Sequence, residues 1–376
     1  MNKIQMVDLQ SQYKNIKSEI DNAVIDVIES GQYINGPAVQ EFSSNLAKYM
    51  SVKHVIPCAN GTDALQVALM ALELKPGDEV ITTNFTFAAT AEVIALLNLK
   101  PILIDVDLET FNIDCDKLIT AIGPKTKAIV PVHLYGQACE MQAIMKIAEE
   151  NNLFVVEDNA QAIGCDYKWN GELKKTGTIG HIGCTSFFPS KNLGCYGDGG
   201  AICTNNDELA VQLRMIANHG QSKRYYHDRV GCNSRLDAVQ AAVLRIKLKE
   251  LDNYSSRRNK AALFYDNAFK DESALKTPFR SSHCTHVFHQ YTLQLSDEYN
   301  RDDLVAYLAS NSIPAMIYYP VPAHQQKMFS DLPTSSGDLT TTEWLTSRVF
   351  SLPMHTELKE EQLHFIVKTV KEFLYK

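Results

Sequence analysis

The sequence predicts an α/β protein with a mostly parallel central sheet flanked by helices and a smaller C-terminal α+β domain. Two observations carry that expectation. Up to about residue 250, short apolar runs alternate with helical stretches, and the runs are apolar throughout, so helices must cover both faces of the sheet. Beyond that point the texture changes to polar helical stretches around one strand-like run, which divides the chain into residues 1–250 and 251–376.

Ile16, Ile20, Val24, Val27 and Ile28 recur at helical spacing, as do Val39, Phe42, Leu46 and Met50 after "NGP", so two amphipathic helices are expected to open the chain. Strands are expected at "EVITT" (79–83), "PILIDV" (101–106), "KAIVPVH" (127–133), "LFVVED" (153–158), "GCTSFF" (183–188) and "GAICT" (200–204). Ligands of such sheets collect at the carboxyl ends of the strands. The second part carries a helix at "NYSSRRNKAALFYDNAF", a strand at "HVFHQYTLQL", a helix over 301–311 and a last helix from 359. No repeat, low-complexity tract or long linker separates the two parts.

With 376 residues, 45% hydrophobic and 21% charged, the chain can bury a sizeable core. Its 36 basic against 44 acidic residues give a net charge of -8, which offers no footprint for nucleic acid or an anionic membrane. Nine cysteines are scattered without a C-x-x-C pair, so no metal set is expected and a reduced compartment fits. The start, "MNKIQMVDLQSQYKN", lacks the apolar core of a signal peptide, and no run approaches the roughly 18 apolar residues of a membrane span. A cytoplasmic protein without membrane insertion is expected.

Four local signals bear on chemistry. In "CANGTDALQVALMAL", Asn60 and Gly61 form a turn before Thr62 and Asp63 open an apolar helix. Such a helix start suits a phosphate, or is simply capped. Asp158 ends the "LFVVED" run, facing the crevice or capping the next helix. In "SFFPSKNLGCYGDGG", Lys191 lies between Ser186 with two phenylalanines and Gly194, Gly197, Gly199 and Gly200, which let backbone pass close to a ligand. Such a lysine is surface decoration unless its pKa falls or it is held as an imine. Lys223, Arg224, Arg229 and Arg235 form a basic arm with tyrosines, either a solvated loop or a contact for a phosphorylated substrate or a partner subunit. Taken together, a phosphate turn, an acid for a pyridine nitrogen and a lysine for an aldehyde fit pyridoxal 5'-phosphate.

The stretches "GQYINGPAVQEF", "NGTDAL", "DNAQAIG", "SFFPSKNLGCYGDGGAI" and "GCNSRLDAVQAA" resemble the DegT/DnrJ type of nucleotide-sugar aminotransferase, within the fold type I pyridoxal-phosphate-dependent transferases, over essentially the whole chain. The resemblance implies that Lys191 holds the cofactor and moves the proton, that Asp158 pairs with the ring nitrogen, and that Gln161 bonds the ring hydroxyl. It also implies that Phe87 stacks on the ring and that Gly61, Thr62 and Ser186 bind the phosphate. Asn233 is expected to reach in from a second subunit, making the active unit a homodimer with shared sites.

Within the family the likeness points to enzymes that use L-glutamate to aminate a nucleotide-linked ketosugar, a UDP-linked 2-acetamido-2-deoxy-3-oxo-hexuronate at C3, in surface polysaccharide (O-antigen, lipopolysaccharide) biosynthesis. Arg235 and Arg229 are then expected at the uronate carboxylate. Tyr318 and Tyr319 are expected at the substrate, where such enzymes tend to carry a histidine, which leaves a dTDP-3-keto-6-deoxyhexose open as the acceptor. Two other classes stay in view. A sugar dehydratase on the same fold is disfavoured because those relatives replace the lysine by histidine, and a non-catalytic scaffold or regulator is disfavoured by the complete residue set.

Overall fold

The computed structural model describes residues 3–332, 334 and 337–376. Seven short strands form the central sheet: β1 (His54–Cys58), β2 (Glu79–Thr83), β3 (Lys100–Ile104), β4 (Thr126–Val130), β5 (Phe154–Asp158), β6 (Ile182–Ser186) and β7 (Gly200–Thr204). In space they run β1-β7-β6-β5-β4-β2-β3. All neighbouring pairs from β6 to β3 are parallel, while β7 runs antiparallel to both β6 and β1.

The apolar runs divide between two faces as the pleat requires. Val80, Ala128, Val130 and Val156 enter a core with helix Gly61–Ala71. Ile81, Ile129 and Val155 enter another with helix Met141–Glu150. Both faces are dry, which explains runs without polar alternation.

Several differences from the sequence expectation have physical causes. The first helical stretch is split, because Asp8 caps a short helix Leu9–Asn15 through the Ser11 amide (2.9 Å) and the backbone breaks at Ile16. Helix Lys17–Ser30 then buries Ile20, Ala23 and Val27 but leaves Ile28 exposed, and helix Pro37–Met50 follows. Strand β1, "HVIPC", is additional to the expected strands; it contains Pro57 and lies at the sheet edge, where a missing N–H is tolerated. The antiparallel β7 was not foreseen either. Its pairing of Gly200 with Ser186 closes residues 187–199 into one loop at the carboxyl end of β6.

After residue 250, helices Leu251–Phe269, Arg301–Ser310, Thr340–Arg348 and Glu360–Leu374 accompany a three-stranded antiparallel sheet of Leu275–Lys276, Tyr291–Leu295 and Val349–Leu352. Ile4, from the start of the chain, packs into this second core. The strand expected over "HVFHQYTLQL" begins only at Tyr291. Phe288 has φ 45°, which breaks the extended path, and the buried Arg258 collects the carbonyls of Phe288 (3.0 Å) and His289 (3.3 Å). Residues 287 and 289 instead donate to the carbonyls of Gly136 and Tyr135, both at 2.9 Å, against the central sheet's loops. Among the described residues no helix is long and apolar enough to cross a membrane.

A buried carboxylate joins the two parts. Asp105, just beyond β3, accepts from the Thr341 amide (2.8 Å), the Thr342 amide (2.8 Å) and the Thr342 hydroxyl (2.6 Å) at the start of helix Thr340–Arg348. Asp105→Ala leaves these donors dry and unpaired, and is expected to lower unfolding stability by about 2 kcal/mol. A denaturation midpoint equal to the parent protein's would show that the cap carries no stability.

Candidate active site

The site is built where the carboxyl ends of β5 and β6 stand side by side, with Asp158 in register with Cys184 and Ser186 two residues further on. Asp158 is buried, accepting from the Thr90 hydroxyl (2.8 Å) on one oxygen and the Ala160 amide (3.1 Å) on the other. Thr90 belongs to helix Ala88–Leu96, whose cap residue is Phe87. One stretch, "NFTFAAT", therefore supplies both a support for the acid and an aromatic ring. Phe87 is 57% exposed, its ring centroid 6.2 Å from that of Tyr319, so one face is available for another ring.

The neighbouring acid, Glu157, points the other way and is fully buried. It accepts from His133 Nε2 (2.8 Å) and from the amides of Gly177 (2.7 Å), Ile179 (2.7 Å) and Gly180 (2.6 Å). Nδ1 of His133 accepts from the Cys139 amide (3.1 Å), which puts the imidazole proton on Nε2. Glu157 thus ties the end of β4 to the turn before β6 and fixes the strand end that carries Asp158.

Lys191 rides on the 187–199 loop. The Cys195 amide donates to the Phe187 carbonyl (2.8 Å) and the Lys191 amide to the Phe188 carbonyl (2.8 Å), pinching the loop around the lysine. The glycines here have a different use from the one expected. A Cβ at Gly194 would strike the Pro189 carbonyl, one at Gly200 the Asn60 carbonyl, one at Gly197 the Gln240 amide nitrogen (2.8 Å) and one at Gly199 the Leu236 side chain (3.0 Å). They admit protein atoms, not ligand, and so compact the loop. Burial strips water from the Lys191 ammonium and lowers its pKa to about 8, a shift that the nearby Asp158 charge partly opposes.

Helix Gly61–Ala71 begins directly after Asn60, whose side chain caps the Asp63 amide (2.8 Å) while its carbonyl takes the Ala64 amide (3.1 Å). The amides of Gly61 and Thr62 remain at the positive end of this 11-residue helix. A Cβ on Gly61 would lie 2.6 Å from that of Ser186, so only glycine lets the β6 serine hydroxyl meet the helix mouth. That arrangement is a cradle for a tetrahedral anion.

Gln161 is buried, accepting from the Tyr135 amide (2.8 Å) and donating to the Tyr319 hydroxyl (3.0 Å). Tyr135, which the sequence reading passed over, holds φ 57°, an uncommon conformation for a bulky residue. Three contacts enforce it: its amide to Gln161, its carbonyl from His289 (2.9 Å) and its hydroxyl to the Tyr318 carbonyl. Tyr318 and Tyr319 thereby come to the Gln161 side of the site, and Asp158 acts electrostatically on Tyr319.

The structure therefore gathers Gly61, Thr62, Phe87, Asp158, Gln161, Ser186, Lys191, Tyr318 and Tyr319. Among the described residues Asn233, Arg229 and Arg235 make no hydrogen bond to these, although the Ser234 hydroxyl beside Asn233 accepts from the Ala59 amide (3.1 Å) just ahead of the cradle. Asn233 is exposed and bridged by its backbone to Asn218. Arg235 is half-buried beside the Asn218 side chain (3.5 Å). Arg229 pairs with Glu73 (2.8 Å), beyond the far end of helix Gly61–Ala71, which is about 16 Å long. The amine, the acid and the cradle fit pyridoxal phosphate: a desolvated lysine for its aldehyde, a carboxylate for its ring nitrogen, and a Cβ-free helix start with a serine hydroxyl for its phosphate.

The sequence profile of the DegT/DnrJ/EryC1/StrS aminotransferase family matches residues 14–371. A Pseudomonas aeruginosa protein named UDP-2-acetamido-2-deoxy-3-oxo-D-glucuronate aminotransferase is 45% identical over 363 residues, 96% of this chain and 98% of its own. A Geobacillus stearothermophilus protein named pleiotropic regulatory protein is also 45% identical, over 372 residues and 98% of each chain. The solved structure of NtdA from Bacillus subtilis with bound cofactor PMP superposes with a TM-score of 0.89 at 30% identity, covering 100% of this chain and 86% of that one. With the profile spanning nearly all of the fold just described, the chain belongs to the DegT/DnrJ/EryC1/StrS aminotransferase family.

Proposed function

We propose that this protein is a pyridoxal-phosphate-dependent aminotransferase that passes an amino group from L-glutamate to C3 of UDP-2-acetamido-2-deoxy-3-oxo-D-glucuronate, for surface polysaccharide biosynthesis. The observation that carries the reading is the convergence of a desolvated Lys191, the buried Asp158 and the Gly61–Ser186 cradle. The relative from Pseudomonas aeruginosa supports the choice of acceptor.

When bound, the cofactor supplies an aldehyde that takes up amines and a cationic ring that draws electrons from the carbon losing its proton. The chain's own groups do the rest. Asp158, steadied by Thr90, would hold the proton on the ring nitrogen, while the amides of Gly61 and Thr62 and the Ser186 hydroxyl would hold the phosphate. Phe87 would cover one face of the ring and Gln161 would meet its hydroxyl. Lys191, its pKa lowered to about 8, could both remove and return the proton at the reacting carbon.

Asn233, Arg229 and Arg235 lie outside this chain's own cluster, and the arm that carries them exposes Tyr225 (77%) and Val230 (84%). These residues fit a homodimer in which the arm enters the partner's site, with Arg229 and Arg235 meeting the sugar carboxylate alongside Tyr318 and Tyr319. All nine cysteines are free thiols, in keeping with a cytoplasmic enzyme.

A panel of UDP- and dTDP-linked ketosugars tests the assignment. The expected product is an amino sugar formed with 2-oxoglutarate from the UDP-uronate. A preference for a dTDP-3-keto-6-deoxyhexose would move the acceptor class, a deoxy-ketosugar without nitrogen would indicate dehydration, and no turnover with any sugar would favour a regulator.

Two further outcomes follow from the geometry. Only the neutral amine attacks an aldehyde, so the rate at which added cofactor develops long-wavelength absorbance in the stripped enzyme rises with pH and levels off above about 8. A rise continuing to pH 10 would mean that the reacting amine is an ordinary exposed lysine. Thr90→Val removes the hydroxyl on Asp158 and is expected to lower kcat about tenfold, about 1.4 kcal/mol, with little change in unfolding midpoint; an unchanged kcat would show that Asp158 needs no such support.

A further inference from the structure

A second lysine in this molecule is buried more deeply than Lys191. Lys247, on helix Ala238–Lys249, is 1% exposed, and burial lowers its pKa to about 8. Among the described residues no carboxylate acts on it. Nζ donates to the carbonyl of Gly194 and lies 5.1 Å from the Tyr196 ring centroid. The other charged or titratable groups acting on it are Cys195, which favours the cation, and Arg258, which opposes it. An ammonium sealed away without a counter-ion is costly.

The position of its one carbonyl partner gives this costly group a use. Gly194 lies three residues after Lys191 in the same pinched loop, and its missing Cβ lets the chain press on the Pro189 carbonyl. The first limb of that loop is fixed by strand pairing at Ser186, and the segment after the lysine by Asn192, whose side chain donates to the Val287 carbonyl (2.9 Å). On the returning limb the Gln240 side chain holds the Tyr196 backbone (2.8 and 3.2 Å) and the Phe187 carbonyl holds the Cys195 amide, while Lys247 takes the Gly194 carbonyl, nearest the lysine, and lies over the Tyr196 ring. We propose that Lys247 is a positioning residue, whose ammonium anchors the returning limb of the 187–199 loop and so holds the Lys191 amine towards Asp158. The inference rests on the aminotransferase reading above and adds a residue to it.

The test compares Lys247→Arg, Lys247→Gln and Lys247→Met in the full-length enzyme with added pyridoxal phosphate. Kcat is expected to fall in the order Arg, Gln, Met, with Met reduced about 10- to 100-fold and the KM for glutamate within about twofold of the parent. Unfolding midpoints are not expected to follow that order, because relief of the buried charge is offset by the Gly194 carbonyl that Met leaves unpaired. In Lys247→Met the pH midpoint for development of the long-wavelength absorbance is expected to move upward from about 8, since a loosened Lys191 regains water.

If kcat instead follows the unfolding midpoint across the three variants, or if Lys247→Met matches the parent in kcat and pH midpoint, Lys247 only fills space and the inference is overturned. A Lys247→Met that does not fold also counts against it, since the account gives Lys247 a positioning role and not a folding one. Absence of the absorbance band in the parent enzyme would overturn the aminotransferase reading itself, a result distinct from either.

Discussion

Lys191 and Asp158 are close enough for the acid's charge to act on the amine, yet burial prevails and brings the amine's pKa down to about 8. That balance is what the surrounding structure maintains. Solvation of the loop would restore an ordinary ammonium, inert towards an aldehyde. A tighter ion pair with Asp158 would have the same effect by stabilising the charge. Asp158 is kept apart by its own partners, the Thr90 hydroxyl and the Ala160 amide.

Much of the molecule is scaffolding for those two strand ends. Glu157 gathers three backbone amides and His133 on the reverse face of β5, so the strand end cannot shift without leaving a buried carboxylate unsatisfied. Tyr135 holds a strained backbone conformation that links Gln161, His289 and Tyr318. Through Tyr135 the segment ahead of strand Tyr291–Leu295 reaches the central sheet, and through Asp105 so does helix Thr340–Arg348. The second part of the chain is thereby held over the site.

What the sequence made legible was local. The acid at the end of "LFVVED", the turn before "TDALQVALMAL" and the lysine beside a glycine-rich loop are each spelled within a few residues, and the parallel sheet declared itself through uninterrupted apolar runs. Groups whose meaning depends on distant partners stayed hidden. Thr90 finds Asp158 across 68 positions, Tyr135 finds Gln161 across 26, and Lys247 finds Gly194 across 53. The glycines after Lys191 make room for protein atoms and not for a ligand, a distinction that composition cannot make. The proline in β1 and the reversed direction of β7 are likewise consequences of place in the sheet.

The account assigns the cofactor to one of two lysines that burial has brought to a pKa of about 8. Borohydride reduction of the enzyme loaded with pyridoxal phosphate, followed by peptide mass spectrometry, separates them in one measurement. The modification is predicted on the peptide containing Lys191. Its appearance at Lys247, or at an exposed lysine with Lys191 untouched, would contradict the central claim.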